Sequence, residues 1–330
     1  MIWFPISRLA MIAALLAAAP ALAAPPSEFE PASPGTVALT FDDLPGLTQL
    51  ASQPYVDYIN IMLLRGLKKH HFPATGFVNE SKLDNGGGVA NREHQIANLR
   101  RWLDAGMDLG NHTFSHESPN DLGADRYIAD IAKGESVTRA LLAQHHKTLT
   151  YFRHPYLETG SPGAVKDAID GWLATHRYTI APVTIDADDW EFAQPYDDAI
   201  ARHDEPRRQR IQREYLAYTE RTIAWYQHAA QDVFGRQIPY VMLLHDTRLN
   251  ADSFDALAAI LARRRLKPVT LAQALQDPAY RTRDPYTGKD GIDWVERWSE
   301  ELHKTMPWST WRDPPKAIEE EYERTEHDRH

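Results

Sequence analysis

The chain has 330 residues, 43% of them hydrophobic and 25% charged, with a formal net charge of −10 and no cysteine. That length suffices for one large domain or two small ones with a substantial core. The lack of cysteine excludes disulfides, thiolate metal ligands, a thiol nucleophile and a lipid-attachment site, and the acidic balance argues against nucleic acid or anionic lipid as the main partner.

In chain order, Arg8 precedes an apolar run, "LAMIAALLAAAPALA", that closes on Ala21-Leu22-Ala23. A basic residue, a short apolar core and a small-x-small site read as a secretory signal peptide over residues 1–23. The run is too short and Ala-rich for a membrane anchor, and no other segment is apolar enough to span a bilayer, so no stable span is expected after cleavage. The expected location is outside the cytoplasm, periplasmic or secreted, in soluble form. Residues 24–35, "APPSEFEPASPG", form a Pro-rich leader.

From residue 36 short β-type runs alternate with helical patterns. The strands expected are 37–42, 74–78, 107–111, 150–155, 178–185, 240–245 and 266–271. Between them, Val56, Ile59, Leu63 and Leu67 share one face of a helix over 55–69. Ile96, Leu99 and Leu103 do the same over 93–105, and Ile128, Ile131, Val137 and Leu141 over 125–146. Such alternation predicts an α/β fold with a parallel sheet, open or closed into a barrel. Residues 197–235, rich in Arg and Glu, read as the solvated face of an inserted helix pair. Residues 277–330 form a Trp-rich extension (Trp294, Trp298, Trp308, Trp311) and a charged tail expected to be mobile, with His327 and His330 at its end.

In parallel α/β folds chemistry collects at the C-terminal ends of the strands. The first strand ends in Asp42-Asp43, two like charges that repel each other and cost desolvation. The third runs into His112 and His116, the only i, i+4 histidine pair in the chain; one helical turn would bring both onto one face as metal ligands. The fourth carries Arg153, His154, Pro155 and Tyr156, the fifth runs into Asp186, Asp188, Asp189 and Trp190, and the sixth ends in His245-Asp246, with Asp246 placed to cap a helix. The second and seventh, ending in Val78-Asn79 and Leu271, read as structural. Singly, each of these residues has a bland explanation: a turn, a surface arginine, a core aromatic, a satisfied buried histidine. Their joint arrival at five strand ends does not.

The combination resembles the polysaccharide deacetylases of the NodB-homology type, carbohydrate esterase family 4. "TFDD" (Thr40–Asp43), "HTFSH" (His112–His116), "RHPY" (Arg153–Tyr156), Asp189-Trp190 and "LLH" (Leu243–His245) match that family's five motifs in order, and the likeness covers about residues 36–275. It implies a distorted (β/α) barrel of about seven parallel strands as a deacetylase domain over 36–276, with 197–235 as a helical insertion. Leu44-Pro45-Gly46, where the family places Gly directly after the Asp pair, resembles a "TFDDLP" subgroup, which leaves the substrate open beyond chitin and peptidoglycan.

The same resemblance assigns roles. Asp43, His112 and His116 would hold a divalent metal, zinc first and Co²⁺, Ni²⁺ or Mn²⁺ as alternatives, which would lower the pKa of a bound water. A cation would also make the Asp42–Asp43 repulsion tolerable. Asp42 would be the general base, held ionised by Arg153. The Tyr156 N–H would stabilise the oxyanion, and His245, kept protonated by Asp189, would protonate the departing amine. Trp190 and Leu243 would wall an acetyl pocket, while "GIDWVERW" would help bound the cleft. The function implied is metal-dependent N-deacetylation of an acetylated carbohydrate of amino-sugar type. The rivals are an O-acetyl polysaccharide esterase using the same site, a non-catalytic carbohydrate-binding protein, and a metal phosphodiesterase.

Overall fold

A computed structural model describes residues 33–325, apart from 49, 51 and 85–88. The expected signal peptide, the leader up to residue 32, and His327 and His330 lie outside the described residues. The elements are β1 (Gly35–Leu44), α1 (Gln53–Lys69), β2 (Ala74–Val78), α2 (Val89–Asp104), β3 (Asp108–Asn111), α3 (Pro119–Lys133), α4 (Ser136–Gln144), β4 (Tyr151–Phe152), α5 (Gly163–Thr175), β5 (Thr179–Ile180), α6 (Asp189–Ala201), α7 (Glu205–Phe234), β6 (Tyr240–His245), α8 (Arg248–Arg263), β7 (Leu266–Pro268), α9 (Leu271–Ala274), α10 (Trp294–Glu301) and α11 (Lys316–Thr325).

The strands form one parallel sheet in the order β5-β4-β3-β2-β1-β6, with β7 pairing the start of β1. The sheet curls: the chain after β5 bridges to β6 at Ile185–Met242, where Thr184 N–H donates to Val241 O and Leu243 N–H to Ile185 O. This is the curled parallel α/β architecture expected from the alternating pattern.

Alternation along β1 sorts its side chains between two environments, because successive residues of a strand point to opposite faces. Val37, Leu39 and Phe41 pack in the large core beneath the helices with Ile59, Leu63, Leu67, Leu99 and Trp102. Ala38 points to the inner face with Phe77, Ala181 and Val241, and Thr40 and Asp42 follow it toward the strand end. Full burial of each large apolar side chain stabilises the fold by roughly 1.5–3 kcal/mol. The inside of the curl is thus apolar below and polar only at the top, where Arg153 lies over the Phe77 ring, 4.6 Å from its centroid.

Four expectations change. The helix over 125–146 is two helices broken at Gly134, where a Cβ would stand 2.5 Å from the Thr113 carbonyl carbon, so the junction's backbone packs directly on the His112–His116 loop. The charged 197–235 stretch keeps its Arg and Glu side chains toward the surface, as a solvated face would, but it is more than that. The preceding helix α6 starts at Asp189, and α7 buries Tyr215, Tyr218, Ile223, Trp225, Tyr226 and Val233 along its length. The tail is docked as far as Thr325: Ile318 joins the cluster between α6 and α7, Glu321 pairs with Arg207 and Arg210, and the Tyr322 ring meets Trp190 at 4.9 Å. Asp246 does not cap α8; the neighbouring Thr247 does, accepting from Asn250 N–H at 3.2 Å. In the extension, Trp294 and Trp298 are core residues, and Trp308 is the one left 46% exposed. Among the described residues no helix is long and apolar enough to cross a membrane.

Candidate active site

Asp42 and Asp43 are adjacent on a strand and would ordinarily face opposite ways. The register of β1 against β2 slips between Phe41 and Leu44, and Asp43 takes a left-handed φ of 68°. This irregularity turns both carboxylates to the same end of the curl. The turn that follows closes with Gly46 N–H donating to Asp43 O at 2.9 Å.

The His112–His116 pair also meets, though not on a helix. Residues 112–118 are a loop in which Thr113 and His116 have left-handed φ values of 66° and 61°. His116 N–H donates to Thr113 Oγ1, and the Phe114 and Ser115 N–H groups donate to Asp130. The rings lie 5.0 Å apart between centroids. His112 Nδ1 bonds the Arg153 carbonyl at 2.8 Å, which leaves Nε2 facing the carboxylates. One ligand atom from each of Asp43, His112 and His116 can be chosen so that all lie within 4.8 Å of one another. Two imidazoles and a carboxylate at that spacing fit a divalent cation such as zinc, as N/O donor sets do.

Burial lowers both histidines to about 4, against the opposing pull of Asp43, so both are neutral and ligand-ready near pH 7. Burial works against the charge of Asp43, yet Lys82, His116 and His112 hold its carboxyl well below the usual range. Asp42 is different. Its burial prevails over Arg153 and His245, and its pKa rises. Arg153 is fully buried, with Nη1 3.2 Å from both Asp42 oxygens, Nη2 on Thr40 and Nε on the Ala181 carbonyl.

The opposite wall is regular. His245 is the direct cross-strand partner of Asp42. Its Nδ1 and its N–H both bond the Asp189 carboxylate at 2.7 Å, and Asn250 donates to Asp189 and to the His245 carbonyl. Burial opposes the imidazolium, but Asp189, Asp43 and Asp42 outweigh it and raise His245 to about 9. Asp188, at a left-handed φ of 46°, accepts from Tyr218; burial raises it to about 6. Tyr156 (φ 56°) stacks edge-on against His116 at 4.6 Å. Leu243 is buried two residues before His245 on β6. Trp190 is held at the rim by Tyr322 rather than standing alone.

The structure therefore brings together Asp42, Asp43, His112, His116, Arg153, Tyr156, Asp189 and His245. Sequence reasoning overlooked four contributors. Asn79 donates to the His112 carbonyl, Asn250 braces Asp189, and Lys82 Nζ lies 2.9 Å from Asp43 Oδ1. Asp246 is fully buried and raised to about 8, first by burial and then by Asp43 against Lys82. The second strand, which read as structural, thus feeds the site through Asn79 and the turn after it. A polar pair directly after an apolar strand was the signal for Asn79; a lysine three residues further on carried none.

Fold and site define a class: a curled parallel α/β chain whose strand ends gather an Asp–His–His cluster spaced to hold a cation, between a buried Asp–Arg pair and an Asp–His pair. Residues 30–167 match the family model described as polysaccharide deacetylase. The peptidoglycan-N-acetylglucosamine deacetylase of Bacillus cereus is 27% identical over 161 residues, 49% of this chain and 48% of the relative, so the chain spans about half the length of the curated relative it matches. Among solved structures, a family 4 carbohydrate esterase from Streptomyces lividans in complex with acetate is 20% identical over 73% of this chain and 95% of its own, with a TM-score of 0.46. The peptidoglycan deacetylase PdaC from Bacillus subtilis is 20% identical over 75% and 93%, with a TM-score of 0.47.

Proposed function

We propose that the protein is a metal-dependent deacetylase that hydrolyses N-acetyl groups of an amino-sugar polysaccharide or oligosaccharide of the cell envelope, after export. The observation that carries this reading is the placement of the Asp43–His112–His116 cluster between Asp42–Arg153 and His245–Asp189. A base and an acid on either side of one cation site is the arrangement amide hydrolysis requires. The activity named for the Bacillus cereus relative supports an amino-sugar substrate.

Asp43, His112 and His116 would hold a divalent ion, which would supply Lewis acidity toward the acetyl carbonyl and water. Asp42 takes the proton from the attacking water, and its burial, which raises its pKa against the pull of Arg153, favours its accepting that proton. Arg153 fixes the orientation of that carboxylate with two contacts. Tyr156, against His116, walls the site where its N–H would meet the developing oxyanion. His245, with Nδ1 committed to Asp189, presents Nε2 to the leaving nitrogen. An amine leaves only once protonated, and a histidine held protonated to about pH 9 meets that need. Leu243 and Trp190 border the space for the acetyl methyl. The extension's loop is held to the barrel by Asn120, which donates to Lys289 O, and Ser161, which donates to Thr287 O, contacts that support its bounding the cleft.

The test is acetate release from chitooligosaccharides, peptidoglycan fragments and acetyl-xylan, before and after chelation. Release from the N-acetylated substrates, lost on chelation and restored by Zn²⁺ or Co²⁺, is expected. Release from acetyl-xylan alone would make the protein an O-acetyl esterase, and full activity in a verified metal-free sample would refute the metal reading.

A further inference from the structure

The loop that carries Tyr156 is strained and is held by a segment far along the chain. Tyr156 and Leu157 are successive left-handed residues, with φ of 56° and 57°, and neither is glycine. Such backbone persists only where its surroundings hold it. Two bonds within the loop close the turn: Leu157 N–H donates to His154 O and Glu158 N–H to Pro155 O. The C=O and N–H of a trans peptide point in opposite directions. The Pro155 carbonyl, turned into the loop, therefore sends the Tyr156 N–H out of it, next to the ring that lies against His116.

The carbonyl side of this turn rests on the C-terminal extension. Arg297, on α10, is fully buried. Its Nη2 donates to Leu157 O at 2.7 Å, across 140 residues, and its Nη1 to Thr159 Oγ1 at 3.0 Å. Gly291 packs so closely beneath the turn that a Cβ there would overlap the Tyr156 carbonyl oxygen. Arg297 is itself fixed: Nη1 also reaches Asp284 Oδ2 at 3.0 Å, Nε donates to Ile292 O at 3.0 Å, and the guanidinium lies 4.3 Å from the centroid of the Trp294 ring. The start of α10 is tied to the chain after β5 by Trp294 N–H, which donates to Val183 O at 2.8 Å. Burying a guanidinium is costly unless its donors are used, and here two of them are spent on the loop that follows Tyr156.

We propose that Arg297 is a positioning residue for acetyl hydrolysis: with Gly291 it locks the Tyr156–Leu157 turn in the conformation that presents the Tyr156 N–H to the developing oxyanion. The inference rests on the deacetylase reading above and gives the extension a part in the chemical step, beyond the shape of the cleft. Without the Arg297 bond the Leu157 carbonyl loses its partner, the strained turn relaxes, and the donor on the adjoining peptide turns with it. Oxyanion donors act on charge that develops in the transition state, so their displacement lowers kcat and leaves KM nearly unchanged. The reacting carbonyl is the same in a small acetyl ester and in an N-acetylated oligosaccharide, so both substrates should lose the same factor.

The experiment compares the full chain, supplied with Zn²⁺, as wild type, Arg297→Met, Arg297→Lys and Gly291→Ala. Acetate release is followed from 4-nitrophenyl acetate and from a chitooligosaccharide, with melting temperature and metal content measured on each variant. Arg297→Met is expected to lose about 10- to 100-fold in kcat on both substrates, the scale on which misplaced groups and lost oxyanion donors act, at unchanged KM and metal content. Arg297→Lys, which keeps the charge and a donor, should recover part of that loss. Gly291→Ala, whose Cβ pushes on the Tyr156 carbonyl, should show the same signature as Arg297→Met. On the oligosaccharide, the alkaline limb near pH 9 set by His245 should stay in place in all three. If Arg297→Met fails to fold, Arg297→Lys and Gly291→Ala decide. Wild-type kcat in the folded variants overturns the proposal, as does a loss confined to the oligosaccharide, which would make the extension a cleft wall only. A loss that tracks falling metal content or melting temperature would assign Arg297 to structure alone and overturns it too. Absence of acetate release by wild type from both substrates would instead refute the deacetylase reading itself.

Discussion

The two walls of the cleft are built in different ways. On the ligand wall Asp43, Thr113, His116 and Tyr156 all have left-handed backbone, with φ between 56° and 68°, and none is glycine. On the acid wall His245 ends a regular strand in register with Asp42, and Asp189 opens a helix, so the one left-handed residue there, Asp188, is confined to the helix N-cap. Each left-handed residue costs on the order of 1–3 kcal/mol and persists only where its surroundings over-determine it. Here the surroundings are visible: the Asp130 carboxylate gathers the His loop, Gly134 packs beneath it, and the Pro45-Gly46 turn follows Asp43. The comparison teaches that Asp43, His112 and His116, from two segments, converge on one point only because the backbone leaves its regular path, whereas His245 and Asp189 meet with one strand end and one helix start.

The sharpest test separates the neighbouring carboxylates that meet where the walls join. Asp42→Asn should keep its metal and lose about 10²-fold or more in kcat, the scale of a missing general base. Asp43→Ala should lose metal and activity together. Equal metal content in the two variants, measured by elemental analysis, would reverse their roles.

A smaller effect is expected on the acid wall. His245 has its pKa raised to about 9, so it keeps its proton through neutrality and loses it as pH rises through that value. The alkaline limb of the kcat profile should therefore fall near pH 9. Asp189→Asn removes the chief support of the charge and leaves burial, which opposes it, so the limb should move down to the ordinary histidine range near 6.5 or below. By the same sign, the stability contributed by the Asp189–His245 pair is fully present below about pH 6.5 and is lost as pH rises through about 9. A limb that stays in place in Asp189→Asn would show that His245 is not the acid.

The smallest effect tests the strained wall from outside the chemistry. Gly134→Ala would place a Cβ 2.5 Å from the Thr113 carbonyl carbon and should cost about 1–3 kcal/mol as overpacking. Because the push falls on the His112–His116 loop, metal affinity should drop while the alkaline limb set by His245 stays. Movement of both together would mean that the walls are one cooperative unit.

Much of this protein is written in local pattern. The exact limits of β2 and β6, the apolar stripe of α1, and the placement of Asp42, Arg153 and His245 at strand ends all follow from period-two and period-3.6 spacing in a parallel α/β chain. Local pattern also named the metal-ligand candidates, but for the wrong reason in one case: His112 and His116 meet across a loop with left-handed turns and share no helical face. What the tertiary structure alone decided is of another kind. The slip in β1 that turns Asp43 beside Asp42 leaves no mark in side-chain spacing. The burial of α7 and the docking of α11 run against the charge of their sequences, because long Arg and Glu side chains pair at the surface while Tyr, Trp and Ile between them pack inward. Lys82 reaches Asp43 across 39 residues, and Asp246, next to His245, is fully buried. Periodicity reports which face a residue takes on its own element; which charges meet depends on where the fold brings those elements together.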